Sequence, residues 1–337
     1  MPSGQSGGPS ASQAAMLNLS VGIALLRCWH SWTSSQNATD TVGLDLPNRR
    51  RHGGALPSCW STVPSWVADI ANENTRSEIL TFPELHHQGT PFVLPNAWDV
   101  PSALAYIEDG FTAIGTTSFG VASSSGHPDG GRATRETNLT LATALVRLPC
   151  YVSVDIEDGY SDDPEAVADY VAHLPVAGIN VEDSSAEVLV DPSLAAAKIT
   201  ATKRRNPDVF INARVDTYWL NQNADPETTI KRANAYVEAG ADGIFVPMCN
   251  DRMELADIVS NISVPVNTLP VPGLTLAELG ELGVARVSTG SMPYGAGLHA
   301  AALAARAVRD GQPVPPSTPY PELQARLIGY ENRTNTA

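Results

Sequence analysis

The stretch YVSVDIEDGYSDDP (residues 151–164) decides the fold, because an apolar run ends in a cluster of acids and a helix signal follows directly. The same order returns further along the chain, where polar turns lead into DPSLAAAKITATKRR (191–205) and DPETTIKRANAYVEAGAD (225–242). In each case an Asp supplies an N-cap and the following Pro suits the first helical turn. Gly240 is placed to end the third helix. Each repeat therefore predicts one β-strand followed by one α-helix.

Eight apolar runs of this kind occur between residues 92 and 288. They are continuous rather than alternating, as expected of parallel strands that are buried on both faces. Closure into a (β/α)8 TIM-type barrel, an α/β fold, is the simplest arrangement. An open doubly wound sheet is the rival, but no G-x-G-x-x-G turn follows the first run, which continues as NAWDVPSA. The runs are Phe92–Pro95, Ala113–Thr117, Val152–Ile156, Ile179–Glu182, Phe210–Arg214, Gly243–Pro247, Val264–Leu269 and Val284–Ser288.

The first 75 residues differ from the rest and carry none of these repeats. They open with the Ser/Gly/Pro-rich sequence MPSGQSGGPSASQ, which predicts a flexible or poorly ordered extension. The apolar run Leu17–Leu26 has no basic segment before it, unlike an export signal. We therefore expect residues 76–337 to form the catalytic barrel domain.

Composition excludes several classes of partner. Hydrophobic residues make up 43% of the chain, which is enough for a full core, and the net charge of −15 repels nucleic-acid phosphates and anionic lipid. We therefore expect neither a nucleic-acid nor a membrane partner. The four cysteines form no C-x-x-C pair, and a disulfide framework is not expected in a chain this long, so we predict a reducing, cytoplasmic location.

Acids at the ends of two neighbouring runs predict a metal site. In a barrel of this type, function concentrates at the carboxyl ends of the strands. Asp155 and Glu157 are two residues apart and are expected to point to the same side, with Glu182 on the next strand. Buried carboxylates this close need a compensating cation, and oxygen ligands favour Mg²⁺ or Mn²⁺ over zinc. The alternative is that these acids belong to an exposed acidic loop.

Other polar residues at strand ends are candidates for binding a small anionic carboxylate. Arg214 closes the apolar run FINAR, and its planar fork suits a carboxylate or phosphate. A structural pair with Glu182 is the alternative. Ser118 and Phe119 could donate hydrogen bonds to a substrate carboxylate, or form an ordinary turn. Three more candidates follow from their place at the strand ends: Trp98, Gly120 and Asn267.

Several motifs in the same order resemble the isocitrate lyase / phosphoenolpyruvate mutase superfamily over about residues 84–312. They are LPNAWDVPSALAYIEDGFTAIGTTSFG, the D-x-E-D-G-Y run at 155–160, V-E-D at 181–183, A-R-V-D at 213–216, and EAGADGIFVP. The resemblance implies a (β/α)8 barrel whose eighth helix is exchanged between subunits of a homodimer or homotetramer. The segment GAGLHAAALAARAVRDG would contain that helix.

The resemblance also implies roles for individual residues. Asp155, Glu157 and Glu182 would hold Mg²⁺, and Arg214 would bind the anionic end of the substrate. Ser118 and Phe119 would bind its carboxylate and carbonyl region. The superfamily pattern D-x-D-x-G-Y-G is not fully kept, because Glu157 replaces the second Asp and Ser161 replaces the last Gly.

The chain lacks the catalytic loops of both branches. Lyases carry a K-[KR]-C-G-H loop whose Cys is the acid/base, but VEDSSAEVLVDPSLAAAKI stands here, and the mutase gating loop with Lys and Asn is absent too. We interpret Cys249 as a buried structural thiol, and Tyr160 is the candidate proton donor.

The sequence thus predicts a Mg²⁺-dependent phosphoenolpyruvate mutase-like enzyme. It would make or break a C–C or C–P bond in a small α-oxo or enol carboxylate, through an enolate stabilised by metal and Arg214. A Cys-independent lyase or decarboxylase of the oxaloacetate or 2-alkylmalate type is one alternative. A catalytically silent metabolite-binding barrel is another.

Overall fold

The computed structural model describes residues 80–334, and within them one parallel sheet is surrounded by helices. The predicted extension at residues 1–75 lies outside this range. All eight predicted strands are confirmed: Phe210–Arg214 and Val284–Ser288 match in full, and the ends of the others differ by at most two residues. The strands are β1 (Phe92–Leu94 and Asn96–Ala97), β2 (Ala113–Thr116), β3 (Tyr151–Asp155), β4 (Gly178–Glu182), β5 (Phe210–Arg214), β6 (Gly243–Phe245), β7 (Val266–Thr268) and β8 (Val284–Ser288).

The sheet closes into a barrel at Pro95, which divides β1 into two halves. The first half pairs with β8, where Leu94 lies opposite Ser288, and the second pairs with β2, where Asn96 lies opposite Gly115. Every other neighbouring pair in the sheet is parallel and follows the chain order. The side chain of Asn96 stabilises the closure, since it donates to Thr116 O at 2.7 Å and accepts from Gly290 N at 2.8 Å.

Helices follow the strands, and their starts confirm the predicted caps. The side chains of Asp163, Asp191 and Asp225 each accept a backbone N–H from the first turn of the helix that follows. Gly240 has φ +104° directly after the third of these helices. The helices are α1 (Val100–Glu108), α2 (Ser118–Ser124), α3 (Arg135–Leu145), α4 (Pro164–Ala172), α5 (Pro192–Arg205), α6 (Pro226–Glu238), α7 (Arg252–Ser260), α8 (Leu276–Glu281), α9 (Met292–Arg309) and α10 (Tyr320–Thr334).

Aromatic side chains close the amino-terminal end of the barrel. A 3-10 turn, Glu84–His87, inserts His86, whose ring stacks on Phe210 at 4.2 Å between centroids. The Phe82 ring packs against the start of β4. A Cβ added to Gly178 would lie only 2.7 Å from this ring. The polar ends of the strands are therefore gathered at the opposite, carboxyl-terminal end.

The last barrel helix is covered little by its own chain. Of the 18 residues of α9, only Tyr294 and Ala307 are buried, while Leu298 and Leu303 are exposed. Helix α10 returns to the barrel, where the Tyr330 hydroxyl donates to Ala144 O at 3.2 Å. In the part of the chain that the structure describes, no helix is long and apolar enough to span a membrane.

Candidate active site

Two adjoining cavities open at the carboxyl ends of the strands. The inner cavity has a volume of about 60 Å³ and the outer one about 380 Å³. Both are lined by Phe119, Asp129, Arg214 and Trp219. The inner cavity also contacts Asp155, and the outer one contacts Glu157 and Glu182, so the predicted acids and Arg214 meet in one place.

Asp155 is the last residue of β3 and is buried beside the inner cavity. Its backbone N–H donates to Thr116 Oγ1 at 2.9 Å, which fixes the strand end. Burial raises the pKa of Asp155 to about 6, although nearby Arg214 acts in the opposite direction. The alternative of an exposed acidic loop is therefore wrong for this residue.

Glu157 is buried too, but not for the predicted reason. Because β3 ends at Asp155 and Glu157 has φ +50°, strand alternation does not extend to it. Its carboxylate instead accepts from Arg132 N at 2.9 Å and from Thr134 Oγ1. Burial raises its pKa, and Asp129 and Asp158 add to the rise. Glu157 thus reaches the outer cavity as part of a loop contact.

Glu182 and Arg214 lie opposite each other in the register of β4 and β5 and form an ion pair. Arg214 Nη1 is 2.9 Å from Glu182 Oε2, and Arg214 Nε is 2.5 Å from Asp216 Oδ1. The guanidinium carbon lies 5.0 Å from the ring centre of Trp219 and 5.9 Å from that of Phe245. The predicted structural pair with Glu182 exists, yet Arg214 still lines both cavities.

The electrostatics of this group show an excess of buried negative charge. Burial raises the pKa of Glu182 well above its usual range, and Asp216, Asp155 and Asp129 add to the rise while Arg214 opposes it. Burial alone would lower the pKa of Arg214, but the surrounding carboxylates raise it. One cation is therefore shared among several buried acids.

These acids suit a hard divalent cation by charge and by donor type. Within residues 80–334, no three His, Cys, Asp or Glu side chains are already close enough together to hold a metal ion. The buried carboxylates of Asp155, Glu157 and Glu182, with Asp129 near them, nevertheless repel one another, and a cation would relieve that repulsion. Oxygen donors without His or Cys fit Mg²⁺ or Mn²⁺.

Arg132 joins the loop after β2 to the loop after β3. Its side chain forms ion pairs with Asp158 and Asp162, and its backbone N–H donates to Glu157. Asp129 lies three residues before it and lines both cavities. The Arg132 contacts therefore hold the loop that carries Asp129 over the mouth of the barrel.

The remaining binding candidates divide into two groups. Ser118 and Phe119 line the inner cavity as predicted. Trp98 and Gly120 line neither cavity but pack on each other, since a Cβ on Gly120 would be 2.9 Å from Trp98 Cβ. Asn267 lies below the lining residues, where its Nδ2 donates to Ser288 Oγ at 3.0 Å. The structure thus gives these three residues packing and positioning contacts.

Comparison with known proteins agrees with this geometry. A family model described as phosphoenolpyruvate phosphomutase matches residues 82–309. The chain belongs to the phosphoenolpyruvate phosphomutase family. It is therefore an enzyme of the lyase or phosphonomutase type within the phosphoenolpyruvate mutase/isocitrate lyase superfamily.

The chain is similar in sequence to the first two of the following proteins and in fold to the third. An uncharacterized Mycobacterium tuberculosis protein (strain H37Rv) is 73% identical over 257 residues, which cover 76% of this chain and all of the relative. The 2-methylisocitrate lyase of Bacillus subtilis is 30% identical over 60% of this chain and 70% of its own length. A crystal structure of phosphonopyruvate hydrolase in complex with oxalate and Mg²⁺ has the same fold, with a TM-score of 0.63 and 23% identity over 75% of this chain and 94% of its own.

A short hairpin follows Glu182 in this member of the phosphoenolpyruvate phosphomutase family. Ser184–Ser185 pairs with Val188–Leu189 across a two-residue turn, Ala186 and Glu187, in which both residues have positive φ. The hairpin brings no Cys, His or Lys, as the sequence indicates. Ser184, Ser185, Ala186 and Glu187 of this hairpin line the outer cavity.

The two other candidates for acid/base chemistry lie outside the cavities. The Tyr160 hydroxyl accepts from Asn138 Nδ2 at 3.0 Å and lies 3.3 Å from Thr134 Oγ1, and Tyr160 lines neither cavity. The geometry therefore gives no support to Tyr160 as proton donor. Cys249 is fully buried and burial raises its pKa to about 12, in agreement with a structural thiol.

Sequence reasoning missed four residues that the structure brings to the site. Asp129 lies in the Pro-Asp-Gly turn after β2, and its position beyond a strand end was the available signal. Asn180 is a polar residue within the apolar run GINVE, which is itself unusual. Asp216 belongs to the A-R-V-D motif. No sequence pattern marks Trp219 as a site residue, because it lies in a loop and its packing on Arg214 depends on how that loop folds.

Proposed function

We propose that this protein is a Mg²⁺-dependent enzyme that breaks or forms a C–C bond in a small α-oxo or 2-hydroxy carboxylate through an enolate. The observation that supports this most is the position of Arg214. Among the described residues that line the two cavities, it is the one cation, and it lies beside the buried acids. Among the described residues, Arg214 is therefore the positive side chain that an anion meets when it enters the inner cavity.

Arg214 is held so that it can receive a carboxylate without rearranging. Asp216 and Glu182 fix two of its nitrogens, while Trp219 and Phe245 pack on the guanidinium. Such a preorganised cation stabilises charge that develops on the substrate. Ser118 adds a hydroxyl to the lining of the inner cavity.

Asp155, Glu157 and Glu182 would hold the metal, with Asp129 beside them. When bound, Mg²⁺ would supply positive charge beside the enolate oxygen. Phosphonopyruvate hydrolase, the structural neighbour seen with oxalate and Mg²⁺, supports this choice of ion and of substrate shape. The role of the acids in this chain would be to bind and orient the ion.

The charge of the outer cavity restricts the substrate. Among the described residues it is lined by five acids, Asp129, Glu157, Asp158, Glu182 and Glu187, and by one cation, Arg214, while Asp158 is also paired with Arg132. A tricarboxylate or a phosphonate dianion would place further negative charge against this wall. We therefore favour a substrate with at most two carboxylates, and C–C chemistry over C–P chemistry.

The test is product analysis with the full chain and MgCl₂. Oxaloacetate, 2,3-dimethylmalate, 2-methylisocitrate and phosphonopyruvate are incubated separately, and the products are followed by NMR, including ³¹P. We expect a two-carbon or three-carbon oxo-acid or carboxylate product from a dicarboxylate, and no change of the other two. Rearrangement or hydrolysis of phosphonopyruvate would contradict the C–C assignment, and absence of any turnover would favour a silent metabolite-binding barrel.

The exposed helix α9 supports a homodimer or homotetramer as the working form. It is rich in Ala, and its apolar side chains Leu298 and Leu303 remain 56% and 42% exposed in the described part of the chain. A second copy would bury this surface by exchanging the helix. Sedimentation analysis tests the proposal, because Leu303→Asp should shift the protein to monomer while Glu227→Lys on α6 should not.

A further inference from the structure

A fully buried arginine lies inside the barrel beneath the candidate site. Arg286 on β8 has no exposed surface, and its Nε donates to Ser288 Oγ at 3.1 Å. Its Nη2 donates to Asn180 Oδ1 at 2.9 Å, and Nη1 has no hydrogen-bond partner among residues 80–334. No described carboxylate pairs with it. Burying a charge without an ion pair costs folding free energy. We therefore expect a function for the contacts that Arg286 makes.

The chemistry of arginine fixes the orientation of the Asn180 side chain. A guanidinium can only donate hydrogen bonds, so the Asn180 atom that faces Arg286 must be the carbonyl oxygen. The same oxygen accepts from Asn212 Nδ2 at 2.8 Å. Two donors therefore occupy Oδ1, and the amide nitrogen is directed away from both of them.

The amide nitrogen of Asn180 is then available to the inner cavity. Asn180 lines that cavity together with Asp155 and Arg214, and its Nδ2 has no hydrogen-bond partner among the described residues. On β4, Asn180 lies opposite Asp155 of β3 and opposite Asn212 of β5. It stands two residues below Glu182, about 6.6 Å deeper along the strand. The inner cavity therefore has a neutral N–H donor at its floor.

We propose that Asn180 Nδ2 donates a hydrogen bond to a carboxylate or enolate oxygen of the substrate, and that Arg286 is the positioning residue that holds the amide in this orientation. The proposal rests on the proposed function, because it assigns a binding partner to the same anionic substrate. A fixed donor stabilises developing negative charge. Because the amide is neutral, it does not compete with the metal ion for the carboxylates. Arg286 acts only through Asn180 and touches no substrate.

The test measures oxalate binding by calorimetry with the full chain in MgCl₂. Asn180→Asp keeps an acceptor for Arg286 and Asn212 but removes both N–H groups. We expect its dissociation constant for oxalate to rise at least about tenfold, because one hydrogen bond to a charged group is lost and a carboxylate replaces the donor beside the anion, while its unfolding temperature stays near that of the wild type. The amide of Arg286→Gln can accept as well as donate a hydrogen bond, so it no longer fixes the orientation of the Asn180 amide. This variant should weaken oxalate binding by less than Asn180→Asp.

Two further proteins separate positioning from general disturbance of the barrel. Ser153→Ala removes a buried hydroxyl in the same sheet that has no hydrogen-bond partner in the described part of the chain, and should bind oxalate as the wild type does. The double variant N180D/R286Q should bind no more weakly than N180D, since Arg286 acts through Asn180.

The outcomes distinguish this proposal from the one on which it rests. If folded Asn180→Asp binds oxalate as tightly as the wild type, the role of Asn180 is overturned while the proposed function stands. If Asn180→Asp does not fold, unchanged binding by Arg286→Gln overturns it in the same way. Failure of the wild type to bind oxalate in MgCl₂ overturns the proposed function, and the Asn180 role with it.

Discussion

Arg214 Nη1 lies 2.9 Å from Glu182 Oε2, and the two residues are direct partners in the register of β4 and β5. The pair is formed at the carboxyl ends of both strands, where the side chains face the two cavities. Asp216 holds the same guanidinium from the other side. Arg214, which would bind a substrate carboxylate, and Glu182, which would bind a metal ion, thus already hold each other in position.

Substitution of Arg214 should abolish most activity. Arg214→Gln removes the one cation that residues 80–334 contribute to the cavity lining, and the loss of one such stabilising group typically lowers turnover by about 10²- to 10³-fold. Steady-state kinetics with the substrate found by product analysis would measure this. Arg252→Gln is the control, because Arg252 is half-exposed and 4.0 Å from its nearest acid. A folded Arg214→Gln with near-normal turnover would refute the role of Arg214.

Removal of the Arg132 side chain should loosen the loop that carries Asp129. Arg132→Ala loses ion pairs with Asp158 and Asp162, and the contact of its backbone with Glu157 would weaken as a consequence. We expect faster hydrogen exchange over residues 126–134 and a rise of about tenfold in KM. Arg204→Ala, which removes an exposed pair with Glu165, should leave both unchanged. Unaltered exchange in Arg132→Ala would show that other contacts hold the loop.

Gly120 should prove to be a packing residue. An alanine Cβ there would stand 2.7 Å from Thr117 Cγ2 and 2.9 Å from Trp98 Cβ, so Gly120→Ala should lower the free energy of unfolding by about 2 kcal/mol. Gly131→Ala has nothing within 4 Å of the new Cβ and should be close to neutral. Urea unfolding of both variants gives the comparison. Equal stability of the two would mean that Trp98 and Gly120 are not in tight contact.

Buried His86 should make the protein sensitive to acid. Burial lowers its pKa to about 3, so between pH 6.5 and pH 3 the unfolded chain binds a proton that the folded chain does not. Stability due to this group is complete above pH 6.5 and falls as the pH drops. His86→Phe removes the effect and, relative to the wild type, should gain about 2 kcal/mol of unfolding free energy between pH 7 and pH 5.

Urea unfolding at several pH values measures this difference. The exposed His173→Gln should follow the wild-type curve throughout. Parallel curves for His86→Phe and the wild type would show that His86 does take up a proton in the folded state.

The strands and helices could be predicted because each carries its own local signal. Apolar runs such as Phe210–Arg214 matched the observed strand in full, and Asp-Pro pairs marked the helix starts. The place of Asp155 followed from strand alternation and the position of strand ends in a barrel. These rules need only neighbouring residues.

The rest of the site depends on loops and on contacts distant in sequence. Glu157 was expected to follow the side-chain alternation of β3, but the strand ends two residues earlier. The position of its carboxylate depends instead on a hydrogen bond from Arg132, which is 25 residues away in the sequence. The hydrogen bond between Arg286 and Asn180 joins two residues that are 106 positions apart in the sequence. Such contacts arise from closure of the barrel, which a single sequence does not record.

Calorimetric titration of oxalate in the presence and absence of MgCl₂ tests the central claim most directly, because it needs no knowledge of the substrate. We predict that oxalate binds the wild type only with Mg²⁺, that Asp155→Asn weakens this binding at least about tenfold, and that exposed Glu227→Gln on α6 does not. Binding of equal strength without Mg²⁺, or unchanged binding by a folded Asp155→Asn, would contradict a metal-assisted enolate site at this end of the barrel.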